Sequence, residues 1–507
     1  MSSRPRGIPN LLLAALVLLR AAVPLLLIDS AWEFHRDEFL YFAMGDHFSL
    51  FRMQFPPLLP EVAHLGKLVF GDAVWAARVP AALAGATMLG VMLWLARRLG
   101  GGGWSAALLF IGSLAGPVLV RPTVLMHPVI FDQLWCAVAL SGVLLAAHED
   151  QPRWWLLAGL GLGLGALTKF SAAFYAGSLL VPVLLVPSLR RQLGTRWPWL
   201  GALVALVLAL PSVAGQVAYH WPFLAQMRAL GASQLERVTA AEFLSEQPLM
   251  LGAASVLVLA GILGAWRGGA AARVALGFGA GLVGLMLVLH GKSYYAAPGY
   301  LMLLVTGALA LERARRPLAW AGAGVMVLGG AVLLPIGIPL IGPEPMARYA
   351  QRMGISAAVT TNWGEVLPLP QDYADMLGWQ AMAEAVGQVY DSLPPADRAQ
   401  LVVGASNYGE TGALAMYRSR YGYPYPISTA GDFHAWGWGE NTGEVGIALG
   451  PADDQDDLEQ LWTDVRAVRV IGDPRSVPEE RRVTVFIMRG LRHPLREVWP
   501  RIGPEWG

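Results

Sequence analysis

The chain has 507 residues, of which 55% are hydrophobic and only 14% are charged, and its formal net charge is +1. A soluble domain carries about 25% charged residues, so this composition is that of a membrane protein. The small net charge argues against a nucleic-acid partner. The single cysteine, Cys136, excludes a disulfide within the chain.

Apolar segments follow one another through the first two thirds of the chain. A membrane-spanning helix needs roughly 20 apolar residues, and eleven segments are candidates: 8–28, 76–96, 104–120, 126–147, 154–168, 171–188, 198–217, 248–266, 273–290, 294–311 and 318–340. The first is expected to remain as a span, because no small-residue cleavage pattern follows Ile28.

Arginines cluster in alternate short loops. The clusters are Arg97-Arg98, Arg153, 190–196, 267–273 and 313–316, with Arg4 and Arg6 at the N-terminus. Short cytoplasmic loops are enriched in basic residues, so this side is predicted to be cytoplasmic and the other periplasmic. The three lysines of the chain, Lys67, Lys169 and Lys292, all fall on the predicted periplasmic side.

The first polar interruption is the predicted outer loop 29–75. Its pattern favours a helix around Asp37-Glu38 and, after Pro56-Pro57, an amphipathic helix over 58–70, both lying along the membrane surface. Carboxylates at the mouth of a helix bundle can act as a general base or hold a metal. The alternative is that the acidic pair caps a surface helix or pairs with Arg36.

The composition becomes polar near Gly342. We therefore predict a membrane domain over 1–341 and an extracytoplasmic α/β domain over 342–507, which is a normal domain size. A helix is expected from about Gln371 to Leu393, with short buried strands at 401–403, 468–471 and 483–487. Aromatic residues between Tyr408 and Trp438 either stack sugars or pack this small domain.

Several short motifs in order carry a resemblance to a known family. They are Asp37-Glu38, Pro56-Pro57-Leu58, Arg78-Val79-Pro80, residues 167–171, residues 291–298, Asn407-Tyr408-Gly409-Glu410 and Arg420-Tyr421-Gly422. In this order they resemble the polyprenyl-phosphate-dependent glycosyltransferases of superfamily C. The similarity is greatest to bacterial relatives of protein O-mannosyltransferases and of lipid A aminoarabinose transferases.

The resemblance implies a polytopic α-helical membrane protein of the bacterial inner membrane, with periplasmic surface helices and a small C-terminal α/β domain. It implies inverting transfer of a sugar from a polyprenyl-phosphate donor to an extracytoplasmic glycan, lipid or protein acceptor. Membrane lipids are the other expected partners. Asp37 would be the catalytic base and Glu38 its support.

A departing lipid phosphate needs cations nearby. The predicted donor phosphate-binding residues are Lys292, Lys169, Lys67, Arg78, Tyr294 and Tyr295. Each lysine has an alternative role, because a lysine at the end of a span can extend its ammonium to the membrane interface.

Four further residues are candidates for contact with the acceptor or the cavity: His35, Arg121, His127 and Asp132. For His127 and Asp132 the alternative is a structural ion pair with Arg121. The histidines of the first outer loop show no clean metal spacing, so no metal or other cofactor is predicted, although a divalent cation stays open.

The sequence also departs from the aminoarabinose transferases. Those enzymes place a lysine just before their Pro-Pro, where this chain has Gln54-Phe55, and an arginine after their Asp-Glu, where it has 39–41. Aminoarabinose is therefore not the expected sugar. Two alternatives from other classes are a transporter or flippase of a lipid-linked sugar, which would need paired mid-membrane charges and repeat symmetry, and a non-catalytic membrane scaffold.

Overall fold

The computed structural model describes residues 7–51, 54–233, 238–354 and 365–505, so Arg4 and Arg6 lie outside the described residues. The helices up to residue 353 are α1 (Asn10–Leu27), α2 (Arg36–Asp46), α3 (Leu58–Phe70), α4 (Val74–Ala77), α5 (Val79–Arg98), α6 (Gly103–Ala115), α7 (Pro117–Val120), α8 (Pro128–Glu149), α9 (Trp155–Ala166), α10 (Ala172–Ser178), α11 (Leu180–Leu185), α12 (Pro187–Gln192), α13 (Arg196–Ala218), α14 (Pro222–Ser233), α15 (Ala240–Leu251), α16 (Ser255–Ala265), α17 (Ala270–Val288), α18 (Pro298–Arg313), α19 (Arg316–Gly337) and α20 (Pro343–Met353). Single 3₁₀ turns cover Arg121–Val124, Pro152–Trp154, Gly252–Ala254 and Ser293–Ala296.

Each of the eleven predicted apolar segments contains helix. Among the described residues, seven helical stretches are long and apolar enough to cross a membrane: Asn10–Leu27, Val74–Arg98, Pro128–Glu149, Arg196–Ala218, Ala240–Ala265, Ala270–Val288 and Arg316–Gly337. The bent pair Gly103–Ala115 and Pro117–Val124 makes eight if it counts as one span. The chain is therefore a multi-pass membrane protein.

The loops gather at two opposite ends of the bundle. At one end Arg98 pairs with Glu149, and the Arg313 guanidinium donates to the Leu99 carbonyl. At the other end the Leu58 amide donates to the Leu167 carbonyl, which joins the first outer loop to the segment before Lys169. The arginine-rich turns and the lysine-bearing loops are thus separated, as the spacing of the arginines predicts.

The two helices predicted in the first outer loop are present as α2 and α3, but only α3 has a surface character. Helix α3 exposes Leu68 and Val69, whereas α2 is buried over most of its length. Phe39 of α2 is fully buried, and its ring centroid lies 5.5 Å from that of Trp379. Helix α2 is therefore not exposed to solvent as a surface helix would be, because the C-terminal region covers it.

The C-terminal region contains helices on a small mixed sheet. Its helices are α21 (Gln371–Ala374), α22 (Trp379–Ser392), α23 (Pro395–Arg398), α24 (Tyr408–Tyr421), α25 (Asp432–Ala435), α26 (Asp454–Leu461) and α27 (Leu495–Ile502), with a 3₁₀ turn at Pro478–Glu480. Its strands are β1 (Leu401–Ala405), β2 (Val445–Gly450), β3 (Trp462–Ile471) and β4 (Val483–Leu491). The strand order is β1-β2-β4-β3, with β1 parallel to β2 and the other pairs antiparallel.

Two predictions for this region need correction, and they omit one strand. The helix expected over 371–393 is two helices, because the chain turns at Gly378, whose φ is +94°. Strand β2 was not predicted. Strand β3 was predicted to be buried, but it is the exposed edge of the sheet, and Val470 is 55% exposed.

Close packing of α24 on α2 holds the C-terminal region against the membrane domain. A Cβ atom at Gly412 would lie 2.6 Å from the Cβ of Phe39, and one at Gly409 would lie 2.5 Å from the Cγ of Arg36. Only glycine fits at these two points of contact. The buried core consequently continues from the helix bundle into the C-terminal region.

Candidate active site

Asp37 lies in the first turn of α2, where two side chains from distant parts of the chain reach its carboxylate. The Tyr408 hydroxyl donates to Oδ1 at 2.8 Å, and His127 Nε2 lies 3.2 Å from Oδ2. The Asp37 side chain is 26% exposed, so it stays accessible from one side. Both oxygens therefore have a partner while a substrate atom can still approach.

The two neighbouring histidines have tautomers fixed by local hydrogen bonds. His127 Nδ1 accepts the Val129 amide as the cap of α8, which leaves Nε2 as the protonated nitrogen that faces Asp37. His35 Nδ1 accepts the Asp37 amide as the cap of α2. His127 therefore orients the Asp37 carboxylate, whereas His35 holds the Asp37 amide and its Nε2 lies 3.8 Å from Asp375. Because each Nδ1 atom accepts an amide, neither histidine is placed to act as a base.

These contacts keep Asp37 ionised. Burial by itself would raise the pKa of Asp37, but the hydrogen bond from His127 and the positive charge of Arg36 oppose it, and the pKa is held well below its usual range. Burial and the Asp37 charge raise the pKa of Tyr408 well above its usual value, so the phenol remains a donor. The result is a carboxylate of low basicity held between two donors.

Glu38 is fully buried and connects α2 to the segment before α8. One carboxylate oxygen accepts the His35 amide at 2.8 Å, and the other accepts the Met126 amide at 2.7 Å. Arg78 Nη2 lies 3.5 Å from Glu38 and donates to the Glu33 carbonyl at 2.7 Å. Glu38 thus fixes the backbone next to His127. Arg78 makes buried structural contacts with Glu38 and with the Glu33 carbonyl.

The C-terminal region places two more carboxylates near Asp37 that the sequence analysis did not select. Asp375 lies 3.5 Å from the Arg36 guanidinium and is buried. Asp372 is 39% exposed and pairs with Arg121 at 3.1 Å. Neither residue lies in a recognisable motif, whereas Tyr408 belongs to the Asn407-Tyr408-Gly409-Glu410 motif, which was the available signal for it.

Lys169 and Lys292 lie together with Tyr294 and Tyr295. The Lys169 ammonium is 4.6 Å from the ring centroid of Tyr295 and 5.4 Å from that of Tyr294. Burial lowers the pKa of Lys292, Tyr295 opposes this shift, Lys169 adds to it, and the charge of Asp37 again opposes it. The charge of Asp37 therefore acts on Lys292, whose electrostatic environment Lys169 shares.

Two other predicted residues are engaged elsewhere. Lys67 Nζ lies 3.0 Å from Asp46 at the opposite end of α2 from Asp37. Asp132 is buried in α8, where it accepts hydrogen bonds from Ser171 at 2.9 Å and from Tyr175. The ion pair considered between Asp132 and Arg121 is wrong, because Arg121 pairs with Asp372.

Gln54, which precedes the Pro56-Pro57 pair, is held through its backbone. Its amide donates to both oxygens of Asp432 at 3.0 and 3.1 Å, and its carbonyl accepts the Gln216 side chain at 3.0 Å.

Within the described part of the chain, no group of three or more His, Cys, Asp or Glu side chains is arranged to hold a metal ion. We therefore assign no metal ligands.

Comparison with known proteins gives one family match and a structural match over nearly the whole chain. The family model described as dolichyl-phosphate-mannose-protein mannosyltransferase matches residues 54–214. The crystal structure of ArnT from Cupriavidus metallidurans bound to undecaprenyl phosphate is similar, with a TM-score of 0.61, 17% identity, and 94% of this chain and 97% of that chain covered. Its apo state gives a TM-score of 0.59 at the same identity and coverage. No curated protein sequence matches.

These matches confirm the resemblance to superfamily C and the fold class predicted from the sequence. At 17% identity the structural match establishes the fold. The family model covers about a third of the chain, including Lys67, Arg78, Arg121, His127, Asp132 and Lys169. Asp37, Lys292 and Tyr408 lie outside the matched residues, so their roles are inferred from the geometry.

Proposed function

We propose that the protein is an inverting glycosyltransferase that moves a sugar from a polyprenyl-phosphate donor to a hydroxyl of an extracytoplasmic acceptor. The observation that carries this proposal is an ionised Asp37, held by His127 and Tyr408, whose charge acts on Lys292 and its neighbour Lys169. The ArnT structure with undecaprenyl phosphate bound supports a polyprenyl-phosphate donor. The donor sugar and the acceptor are not assigned.

Asp37 is the general base in this mechanism. The acceptor oxygen forms a bond to the anomeric carbon from the face opposite the phosphate, and the bond from that carbon to the phosphate oxygen breaks. The acceptor proton passes to Asp37, and the polyprenyl phosphate leaves with the electron pair. Because the pKa of Asp37 is low, this proton transfer is expected late, when the forming bond has made the hydroxyl acidic.

Lys292 and Lys169 stabilise the leaving phosphate. An ammonium group is a compact charge suited to phosphate oxygens, and both lysines lie beside Tyr294 and Tyr295. Burial makes an unpaired cation costly, so an anion beside Lys292 is favoured. We no longer assign Arg78 or Lys67 to the phosphate, because each already pairs with a carboxylate.

The acceptor is proposed to enter from the side on which Asp37 is exposed. His127 keeps the orientation of Asp37, and His35 fixes the start of α2 as its cap. Arg121 and the exposed Asp372 offer polar contacts to an acceptor. The arginine-rich turns at the opposite end favour the cytoplasm on that side, so the proposed site faces the periplasm.

The replacement Asp37→Asn tests this proposal, because the amide keeps the shape of the side chain but cannot take the proton. The purified protein in liposomes is supplied with radiolabelled hexoses and pentoses on undecaprenyl phosphate, and transfer to extracted cell-envelope acceptors is measured. We expect transfer to fall by about 10²–10⁴-fold, the usual contribution of a general base.

Asp46→Asn is the matched control, since Asp46 lies at the other end of the same helix and pairs only at the surface. It should transfer at a rate close to that of the wild type. Near-normal transfer by Asp37→Asn would overturn the assignment of the base. Movement of the donor across the membrane without product would instead support a flippase.

A further inference from the structure

The contact between Tyr408 and Asp37 joins two regions that are 371 positions apart in the chain. Tyr408 is the first residue of α24, and Asn407 caps that helix by accepting the Gly409 and Glu410 amides. The cap fixes the start of the helix, and hence the direction of the Tyr408 side chain. The hydroxyl that reaches Asp37 is therefore placed by the local structure of the C-terminal region.

Two further contacts hold Tyr408 in place on the membrane domain. Its ring lies under the Arg36 guanidinium, with 5.6 Å between the guanidinium carbon and the ring centroid. The backbone at Gly409 approaches Arg36 so closely that a Cβ atom would lie 2.5 Å from Cγ. Because Arg36 directly precedes Asp37, the docking of α24 and the position of the carboxylate are coupled.

We propose that Tyr408 is a positioning residue for Asp37, so that transfer requires the C-terminal region to be docked on α2. This inference rests on the proposed function. The phenol occupies one lone-pair site of Oδ1 and His127 one of Oδ2, which leaves one site on each oxygen for the acceptor hydroxyl. Loss of the phenol hydrogen bond lets the carboxylate rotate and makes it more basic.

Other titratable and charged groups also face Asp37 and contribute to any pH profile. They are His35, Arg36 and Tyr41 on α2, His127 before α8, Lys292 and Tyr294 before α18, and Asp372 and Asp375 from the C-terminal region. Replacement of Tyr408 by phenylalanine leaves all of these groups in place. A change in the profile can then be attributed to the lost hydroxyl.

The test compares Tyr408→Phe with Tyr425→Phe in the full-length protein in liposomes. Tyr425 also contacts the end of α2 from the C-terminal region, through His47, but it does not touch Asp37. The rate of sugar transfer from undecaprenyl-phosphate donors is measured with KM for donor and acceptor. The pH is lowered from about 7 to the lowest value at which the protein stays folded, because the pKa of Asp37 lies well below the usual value of about 3.9. Binding of undecaprenyl phosphate alone is measured in parallel.

We expect Tyr408→Phe to lose kcat about tenfold and to shift the acid limb of the profile upward by about one to two units, the change for one lost hydrogen bond to a charged group. The donor KM and the binding of undecaprenyl phosphate should change less than twofold. Tyr425→Phe should keep the wild-type profile. The same loss in both variants, or an unshifted acid limb in Tyr408→Phe, would overturn the inference.

The outcome for Asp37→Asn separates this inference from the proposed function. If Asp37→Asn abolishes transfer and Tyr408→Phe leaves the profile unchanged, only the role of Tyr408 is wrong. If Asp37→Asn is fully active, the assignment of the base fails whatever Tyr408→Phe does. In Asp37→Asn, addition of Tyr408→Phe should cause no further loss of any residual transfer, since Tyr408 acts through Asp37.

Discussion

Replacement of Glu38 by glutamine exchanges one oxygen of a fully buried carboxylate for an NH₂ group. The carboxylate accepts two backbone amides, from His35 at 2.8 Å and Met126 at 2.7 Å, and Arg78 lies 3.5 Å away. Glutamine has one oxygen and one NH₂ group, so one of these amides would face a donor. The guanidinium of Arg78 would also lose its only nearby opposite charge among the partners recorded for it.

The expected cost follows from these two losses. Removing one partner of a buried ion pair typically costs about 3–5 kcal/mol, because the other charge is left buried without compensation. We therefore expect Glu38→Gln to lower the free energy of unfolding by about 3 kcal/mol or more. Sugar transfer should fall as well, because the side chain at position 38 would no longer hold the Met126 backbone beside His127.

Unfolding in mixed detergent micelles, followed by tryptophan fluorescence, measures this change. The matched control is Glu344→Gln, since Glu344 pairs with Arg348 on an exposed helix face and should cost less than about 1 kcal/mol. Adding Arg78→Met to Glu38→Gln should recover part of the loss, because both charges are then absent. Equal stability of Glu38→Gln and the control, or a further loss in the double variant, would refute the reasoning.

Two further predictions concern the lysines and a buried acid. Lys292→Ala and Lys169→Ala should each weaken binding of undecaprenyl phosphate about tenfold, the effect of one charge-assisted contact, whereas Lys67→Ala should not; equal dissociation constants for all three variants would contradict the phosphate assignment. Burial raises the pKa of Asp432 from 3.8 to about 7, so the folded state retains a proton that the unfolded state releases, and this group's contribution to stability falls as pH rises between those values. The stability of Asp432→Asn relative to wild type should therefore increase from pH 4 to pH 7 in denaturant titrations, and a constant difference would exclude this titration.

Local sequence was sufficient for much of the fold. Hydropathy is a property of a short segment, so the apolar helices and the break in composition near Gly342 follow from the residues themselves. The exposed edge position of β3 does not follow in the same way, because it depends on which strands pair with it. Strand β2, with Gly446 and Gly450, offers only a weak local pattern and was missed for that reason.

The burial of α2 is another feature that the local sequence does not predict. Its sequence begins with three charged residues and continues with aromatic ones, and from this pattern we expect a helix along the membrane surface. Its actual environment is set by α24, which packs against Phe39 through Gly412. Glu38, predicted from the sequence to support Asp37, accepts the Met126 amide, a partner 88 positions away.

The sequence by itself determined that the chain crosses a membrane several times, that its lysines lie opposite its arginine-rich turns, and that Asp37 belongs to a helix on the side of the lysines. These features depend on side-chain polarity and on short-range spacing. Only the tertiary structure decided which groups hold Asp37. His127 and Tyr408 are distant from Asp37 in the sequence and reach its carboxylate only when the chain is folded. Hydrogen-bond partners over such separations leave no local periodicity in the sequence.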